Sequence, residues 1–251
     1  MSKYKQVQIY KKEILNDSYF ILWIKDEELS VCSEPGQFFE LRSKGIGANR
    51  LFKPISVYDC DKSFIGFMIK KLGPGTSALS DLKQKDYLEL IGPLGCGFPL
   101  VENYKICLVS GGVGYPPLWF LRKRLSSNNI IYWLHGGASA SDIFPCDEIW
   151  TDDGSIGGHG FVTEGLQDHV TATKPDLIYA CGPEGMLKQV YHISKAESIP
   201  LYVSMEAYMA CGIGVCHGCV ISCGSPENVI YRPVCKEGPV FFAEDICWDL
   251  L

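Results

Sequence analysis

The sequence predicts a β-barrel, then an α/β domain with a parallel sheet, then a small cysteine-rich module. Three observations support this division. Residues 1–100 contain six short segments rich in β-branched and aromatic residues, and residues 101–209 alternate apolar strands with helical segments. Residues 210–251 hold six cysteines and little periodicity, which is typical of a module held together by a metal. We therefore expect domain boundaries near residues 100 and 209.

The first region is predicted to be a six-stranded antiparallel barrel. Its segments are bounded by the breakers Glu34-Pro35-Gly36 and Gly73-Pro74-Gly75, and few stretches have helical spacing. Short strands with such turns favour a small closed sheet. The strands are expected at QVQIYKKEIL, YFILWIK, GQFFELRS, ISVYDC, SFIGFMIKK and DYLELIGPL.

The second region is predicted to contain a parallel sheet. Two helical segments, PPLWFLRKRLSS and EGMLKQVYHISKAES, lie between apolar segments, and parallel strands need crossover connections of this kind. The strands are expected at KICLVSGGVG, IIYWLHGG, PDLIYACGP and LYVSMEAYM.

Composition and charge exclude several classes of protein. The chain has 251 residues, of which 47% are hydrophobic and 21% charged, as in ordinary globular proteins. Its net charge of −6 argues against binding to nucleic acid or to an anionic membrane surface. No apolar stretch approaches the roughly 18–20 residues of a membrane span, and the charged N-terminal segment lacks the apolar core of a signal peptide. We expect a cytoplasmic protein.

Four cysteines have the spacing of a plant-type [2Fe–2S] site, C-x4-C-x2-C followed by a fourth cysteine. They are Cys211, Cys216, Cys219 and Cys235. Glycines at 212, 214 and 218 allow the backbone to approach the inorganic sulfides. A four-thiolate zinc site or a set of buried thiols is the alternative, although zinc sites usually contain two C-x2-C pairs.

Cys223 lies close to the four and is a spare ligand candidate. Five further cysteines are expected to pack as small hydrophobic side chains. They are Cys32, Cys60, Cys107, Cys146 and Cys247.

A glycine-rich turn follows the first strand of the second region. Gly111, Gly112 and Gly114 lie between this strand and a helix, where doubly wound sheets bind nucleotide phosphates. The GxGxxG pattern is absent, so a tight packing turn remains the alternative. Residues 138–142, after the second strand, contain no arginine or lysine for a 2′-phosphate, which favours NAD(H) over NADP(H).

A thiol ends the third predicted strand of the same region. Cys181, followed by Gly182 and Pro183, stands at its carboxyl end, the edge at which such sheets bind ligands. A buried cysteine with a helix-starting proline is the alternative.

The order of these motifs resembles the ferredoxin–NADP reductase superfamily. Within it, the chain is similar to the electron-transfer subunits of class 1B dihydroorotate dehydrogenase over nearly its whole length. The segments that carry the resemblance are KPIS, GPLGCGF, SGGVGYPPL, DDGSIGGHGFVTEGL, YACGPEGML, SMEAYMACGIGVCHGC and RPVCKEGPVF.

The resemblance implies that FAD binds in the barrel. The family motif R-P-x-[ST] falls on Lys53, Pro54, Ile55 and Ser56, so that Ser56 would hydrogen-bond flavin N5 and residue 53 would pair with the pyrophosphate. Lysine keeps the charge of the usual arginine but loses its bidentate fork, and Arg50 is a candidate to share the task. Further FAD-binding positions are Met68, Ile69 and Lys70 in a flavin-lining strand and Gly75 and Thr76 in a phosphate-binding turn.

The resemblance also implies the nucleotide-binding and catalytic positions. NAD(H) would bind at Gly111, Gly112, Gly114, Cys181, Gly182 and Pro183. Ser56, Cys181 and Glu206 would line the contact between nicotinamide and flavin.

The implied function is electron transfer in pyrimidine biosynthesis. A separate FMN-containing catalytic subunit would oxidise dihydroorotate, and this chain would pass the electrons through the [2Fe–2S] cluster and FAD to NAD⁺. The partner would dock on the cluster module, with Val240, Phe241 and Phe242 as a candidate apolar patch, in a heterotetramer of two such pairs.

Two other classes of function remain open. The first is another reductase of the same architecture, such as the small subunit of an NADH-dependent ferredoxin:NADP oxidoreductase, a sulfide dehydrogenase or a sulfhydrogenase. The presence of Cys211 favours the dihydroorotate group, because some of these relatives lack the first cluster cysteine. The second is a non-enzymatic zinc or iron–sulfur protein that organises a partner.

Overall fold

The computed structural model describes residues 3–43 and 51–251. The first sheet is antiparallel, with seven strands in the order β4-β3-β7-β1-β2-β6-β5. Two short helices, α1 (Glu27–Cys32) and α2 (Pro74–Asp81), lie within this region. The strands are β1 (Lys3–Ile14), β2 (Tyr19–Lys25), β3 (Phe38–Ser43), β4 (Lys53–Ser56), β5 (Asp59–Asp61), β6 (Phe64–Lys70) and β7 (Tyr87–Leu94).

The predicted barrel is confirmed, with one difference in its strands. The segment ISVYDC, predicted as a single strand, contributes to both β4 and β5, so the sheet has seven strands rather than six. Between them, the Val57 amide donates to Gln37 O at 3.0 Å and the Tyr58 amide donates to Gly66 O at 2.9 Å. One extended segment therefore passes from one edge of the sheet to the other and curls it into a barrel.

The barrel encloses an apolar core. Side chains alternate along β3, so that Phe39 and Leu41 point inward and meet Leu22 and Phe67 from other strands. Phe38 points the other way and packs against the second region. The outer face of β3 is therefore buried as well.

The second sheet has its parallel strands in the order β11-β10-β9-β8-β12-β13. The chain leaves the central strand β8 in one direction and later returns to its other side. This reversal creates a crevice at the carboxyl ends of the strands. The elements are β8 (Lys105–Gly111), α3 (Tyr115–Arg124), β9 (Ile130–Gly137), β10 (Glu148–Thr151), β11 (Gly158–His159), α4 (Val162–Thr173), β12 (Leu177–Cys181), α5 (Glu184–Ala196) and β13 (Leu201–Ser204).

The third region adds a strand to this sheet. It consists of β14 (Val220–Ser225), β15 (Asn228–Pro233), α6 (Val234–Glu237) and β16 (Val240–Phe242), and β16 pairs antiparallel with β13. Its buried side chains share one core with those of the second sheet. The boundaries near residues 100 and 209 stay a prediction.

Two expectations about side-chain exposure were wrong, one for the candidate apolar patch on β16 and one for Cys32. Val240 and Phe241 are only 8% and 4% exposed, because β16 packs at the sheet edge, and Phe242 is half-buried; they do not form an exposed patch. Cys32 is exposed at the end of α1 rather than packed. Cys107 and Cys247 are buried as expected, and Cys60 and Cys146 are half-buried.

No described helix is both long and apolar enough to cross a membrane.

Candidate functional site

A cavity of about 250 Å³ lies between the barrel and the ends of β12 and β13. It is built by segments far apart in the sequence. Ten of the predicted site residues line it: Lys53, Pro54, Ile55, Ser56, Met68, Ile69, Lys70, Thr76, Cys181 and Glu206. Phe38 and Met205 are lining residues that the sequence did not single out.

One end of this cavity has the chemistry of a phosphate site. The Lys53 side chain lies directly over Gly75 in the first turn of α2, and a Cβ at Gly75 would collide with it. Thr76 caps the turn, since its Oγ1 accepts from the Leu72 amide at 2.8 Å. A lysine ammonium beside a helix N-terminus favours an anion, so this end fits the FAD pyrophosphate. Arg50 lies outside the described residues.

The other end holds Cys181 and Glu206. Cys181 ends β12, is 2% exposed and lies opposite Ser204 of β13. Burial and the nearby Glu206 carboxylate raise the pKa of Cys181 far above its usual range, although a hydrogen bond with Ser204 opposes this shift. Glu206 is exposed to the cavity, where the surrounding protein displaces water and raises the pKa of its carboxyl. Cys181 is therefore a neutral thiol at neutral pH.

A second cavity, of about 710 Å³, lies at the carboxyl ends of β8, β9 and β10. Gly111, Gly112 and Pro183 line it, as expected for a nucleotide site. Gly114 and Gly182 do not line it. They allow close packing instead, because a Cβ at Gly114 would lie 2.0 Å from the Cys181 carbonyl oxygen.

The two cavities meet. Lys70, Leu72, Val113 and Glu206 line both of them. A dinucleotide in the second cavity can therefore present its reactive ring to a flavin in the first.

Asp142 and Asp152 add carboxylates to the second cavity. Asp142 is 4% exposed and accepts hydrogen bonds from Tyr19 Oη at 2.8 Å and Lys70 Nζ at 2.5 Å. Burial opposes its ionisation, but these two donors lower the pKa of Asp142. Lys70 is the one cation among the described lining residues, and Asp142 already pairs with it. Asp152, just after β10, is exposed.

The sequence missed Asp152 because it did not predict β10. That strand has only four residues, EIWT, and three of them are half-buried. Its carboxyl end lies beside that of β9, which brings Asp152 to the cavity. The preceding Glu-Ile-Trp-Thr run, rich in strand-forming residues, was the signal that could have identified it.

The four predicted ligand cysteines converge in two pairs. The thiols of Cys211 and Cys216 interact, and the Cys216 amide lies 3.4 Å from Cys211 Sγ. The thiol of Cys235 hydrogen-bonds that of Cys219, and both are 2% exposed. Two thiolates for each of two irons is the donor set of a [2Fe–2S] cluster, so the arrangement fits that group.

Backbone amides prepare the first pair for ligation. Burial opposes ionisation of Cys211, but amide donors from Cys216, Ile213 and Val215 lower its pKa to about 6. Burial and the neighbouring Cys219 raise the pKa of Cys235 to about 12. Within residues 3–43 and 51–251, no group of three or more His, Cys, Asp or Glu side chains is placed to hold a metal ion as it stands. A [2Fe–2S] cluster takes two thiolates at each iron, which is the number that each cysteine pair supplies.

Exposed apolar side chains lie in the cluster loop and just before it. Tyr208 is 98% exposed, Val215 73% and Ile213 49%. We call these three residues the cluster-side patch. Apolar groups this exposed are typical of a surface that meets another protein.

Comparison with known proteins points to one family. Residues 206–247 match the profile of the iron–sulfur cluster binding domain of dihydroorotate dehydrogenase B. The electron transfer subunit of dihydroorotate dehydrogenase B (NAD⁺) from Clostridium acetobutylicum is 35% identical, over 97% of each chain. The subunit of the same name from Caldanaerobacter subterraneus subsp. tengcongensis is 34% identical, over 84% of this chain and 86% of the relative.

A solved structure supports the same assignment of the fold. It comes from work on an NADH-dependent reduced ferredoxin–NADP oxidoreductase and superposes with a TM-score of 0.83. The identity is 26%, and the superposition covers 97% of this chain and 90% of the other. The predicted barrel, parallel-sheet domain and cluster module are thus the fold of a ferredoxin–NADP reductase relative. By its sequence similarity along nearly the whole chain, the protein belongs to the family of dihydroorotate dehydrogenase B electron transfer subunits.

Proposed function

We propose that this chain passes electrons from the FMN of a partner dihydroorotate dehydrogenase subunit to NAD⁺. The observation that carries the proposal is the junction of three sites. The flavin cavity shares Lys70 and Glu206 with the nucleotide cavity, and its wall includes Met209, two residues before the cluster cysteine Cys211. The 35% identity to a dihydroorotate dehydrogenase B electron transfer subunit, over 97% of the chain, supports dihydroorotate oxidation as the reaction of the partner subunit.

The bound groups supply the redox chemistry. When bound, FAD would supply hydride exchange with a nicotinamide and one-electron exchange with a [2Fe–2S] cluster, which would carry one electron at a time. The protein contributes position and electrostatics. In this proposal Lys53 and the first turn of α2 hold the FAD pyrophosphate, and Ser56 donates to the flavin ring. Met68, Ile69 and Lys70 line the ring, while Gly111, Gly112 and Pro183 approach the dinucleotide phosphates.

Cys181 and Glu206 shape the contact between nicotinamide and flavin. A neutral thiol is small and weakly polar, so Cys181 allows two rings to approach without introducing a charge. Glu206 lines both cavities, and the surrounding protein raises the pKa of its carboxyl above the usual value.

The partner subunit is proposed to dock on the cluster-side patch. Single-electron transfer requires the partner's FMN to approach the cluster, and two of the three patch residues lie in the loop between Cys211 and Cys216. Two such pairs in a heterotetramer, located in the cytoplasm, complete the proposal.

Val215→Asp is expected to weaken this docking. A charge placed in an apolar contact should raise the partner concentration needed for half-maximal dihydroorotate-dependent NAD⁺ reduction about tenfold or more. The matched control is Val31→Asp on α1, since Val31 is 72% exposed on the barrel. Titration of the holoprotein with the FMN subunit measures both variants. Equal effects of the two substitutions, or none for Val215→Asp, would contradict docking at this patch.

Asp152 is expected to reject NADP(H). In this proposal the pyrophosphate lies near β8 and the flavin beside β12 and β13, and the adenosine end of the dinucleotide extends over β9 and β10; the strand order and the lining of the second cavity support this arrangement. A carboxylate there accepts from a ribose 2′-hydroxyl and repels a 2′-phosphate. Asp152→Ser should therefore raise kcat/KM for NADPH relative to NADH by about tenfold.

The neighbouring Asp153 is the control for this prediction. Its carboxylate accepts from the Ser155 amide at 2.9 Å and does not line the cavity. Asp153→Ser should leave the preference unchanged. If Asp152→Ser discriminates against NADPH as strongly as the unmodified protein, Asp152 does not set the preference.

The NADH-dependent ferredoxin:NADP oxidoreductase subunit is the second candidate function. The superposition at 26% identity over 97% of the chain favours it. Dihydroorotate-dependent reduction of NAD⁺ by the reconstituted pair distinguishes the two. Activity with an FMN dihydroorotate-oxidising subunit supports the first function, and activity only with a ferredoxin supports the second.

A further inference from the structure

Glu40 is a carboxylic acid in an apolar environment. It lies in the middle of β3, between Phe39 and Leu41, whose side chains fill the barrel core. Alternation along the strand directs Glu40 outward, yet it is 1% exposed, because the cluster loop covers this face. A leucine or methionine would fill such a position without burying a polar group.

The contact between Glu40 and the cluster loop is close. Gly212 follows the ligand Cys211 and has a φ of +67°, a conformation that favours glycine. A Cβ at Gly212 would lie 2.7 Å from Glu40 Cγ and 3.0 Å from Glu40 Oε1. The backbone of the cluster loop at Gly212 therefore packs directly against the Glu40 side chain.

Glu40 is also tied to the flavin cavity. In the β3–β4 ladder it lies opposite Pro54, and the neighbouring Leu41 lies opposite Lys53. Pro54 and Lys53 both line the flavin cavity. A single residue therefore connects the strand that shapes one redox site to the loop that shapes the other.

The burial of this group costs stability. Neither carboxyl oxygen has a hydrogen-bond partner among the residues that the structure describes. Burial raises the pKa of Glu40 to about 7, with Lys53 opposing the shift and Cys211 adding to it. An unpaired buried carboxyl is a cost that an apolar residue would avoid, so the position is not optimised for stability.

We propose that Glu40 is a positioning residue that seats the cluster loop on the flavin-binding barrel and so fixes the spacing between the two redox sites. This inference rests on the proposed function. The length of the side chain carries it, because Cγ and Oε1 are the atoms that meet the backbone at Gly212. Displacements of about an ångström in a functional site reduce rates by roughly ten- to a hundredfold.

Three substitutions separate side-chain length from charge. Glu40→Gln keeps the length and removes the charge, Glu40→Asp keeps the charge and shortens the side chain, and Glu40→Ala removes both. Each holoprotein is mixed anaerobically with NADH, and flavin bleaching and cluster reduction are followed separately. The electron paramagnetic resonance signal of the reduced cluster and the iron and FAD contents are also measured.

We expect internal electron transfer to fall about tenfold in Glu40→Asp and Glu40→Ala, with an altered resonance signal, and to stay within about twofold of the unmodified protein in Glu40→Gln. The initial bleaching by NADH should be unchanged in all three. The proposal is overturned if Glu40→Asp behaves as the unmodified protein, or if Glu40→Gln is as impaired as Glu40→Asp. If Glu40→Ala fails to fold, the internal electron-transfer rates of Glu40→Asp and Glu40→Gln still test the proposal.

This outcome is distinct from failure of the proposed function. An unmodified protein that accepts electrons from no dihydroorotate-oxidising partner contradicts the function. The ratio of internal transfer rates between variant and unmodified protein tests only Glu40.

Discussion

Cys219→Ser is expected to abolish electron transfer to the partner while leaving hydride exchange with NADH intact. A serine hydroxyl is far less acidic than a thiol and is a poor ligand for iron, so the Cys219–Cys235 pair loses its iron site. Dihydroorotate-dependent NAD⁺ reduction should fall at least about a hundredfold. NADH oxidation by a two-electron dye should stay near normal, because both cavities are unchanged. Iron analysis and activity with each acceptor measure the result.

Cys223→Ser is the matched control. Cys223 is 1% exposed on β14 and belongs to the same core as Cys219, but it is not one of the paired thiols. It should keep its iron and its activity with the partner. If Cys223→Ser loses the iron and Cys219→Ser keeps it, the assigned ligand set is wrong.

Cys181→Ala is expected to slow flavin reduction by NADH about ten- to a hundredfold without bleaching the cluster. The Cys181 side chain lies at the end of β12, lines the flavin cavity and contacts Ser204. Its removal leaves space in which the nicotinamide and flavin rings can shift out of alignment. Stopped-flow measurement of the flavin absorbance gives the rate. Because the pKa of Cys181 is held far above its usual range, this rate should show no step from ionisation of the thiol near neutral pH.

Cys107→Ala provides the comparison for Cys181. Cys107 is wholly buried on the adjacent strand β8 and lines neither cavity. Its loss should affect stability rather than the rate of flavin reduction. An unchanged rate in Cys181→Ala would remove this thiol from the hydride-transfer contact.

Local patterns in the sequence were enough to predict the cluster loop and the main strands. Apart from Cys235, the four cysteines and their glycines lie within a short stretch, so their spacing predicts a donor set, which stays a prediction. The strands β8, β9, β12 and β13 are apolar runs between turns. The structure confirms these strands and the barrel.

Features that depend on contacts between distant segments were not predictable. Val240 and Phe241 are equally apolar whether they form a docking surface or a sheet edge. Only the pairing of β16 with β13 shows that they belong to the sheet edge. The segment ISVYDC forms parts of two strands, β4 and β5, because one end pairs with β3 and the other with β6. Glu40 is ordinary in a strand sequence and unusual only once Gly212 lies against it.

The proposed electron path is tested by an anaerobic reductive titration of the purified chain, with iron, acid-labile sulfide and flavin measured on the same sample. We expect about one FAD, two irons and two sulfides per chain, and uptake of about three electrons, two by the flavin and one by the cluster. A colourless protein with bound zinc, or a flavoprotein that takes up only about two electrons and contains no iron, would contradict it.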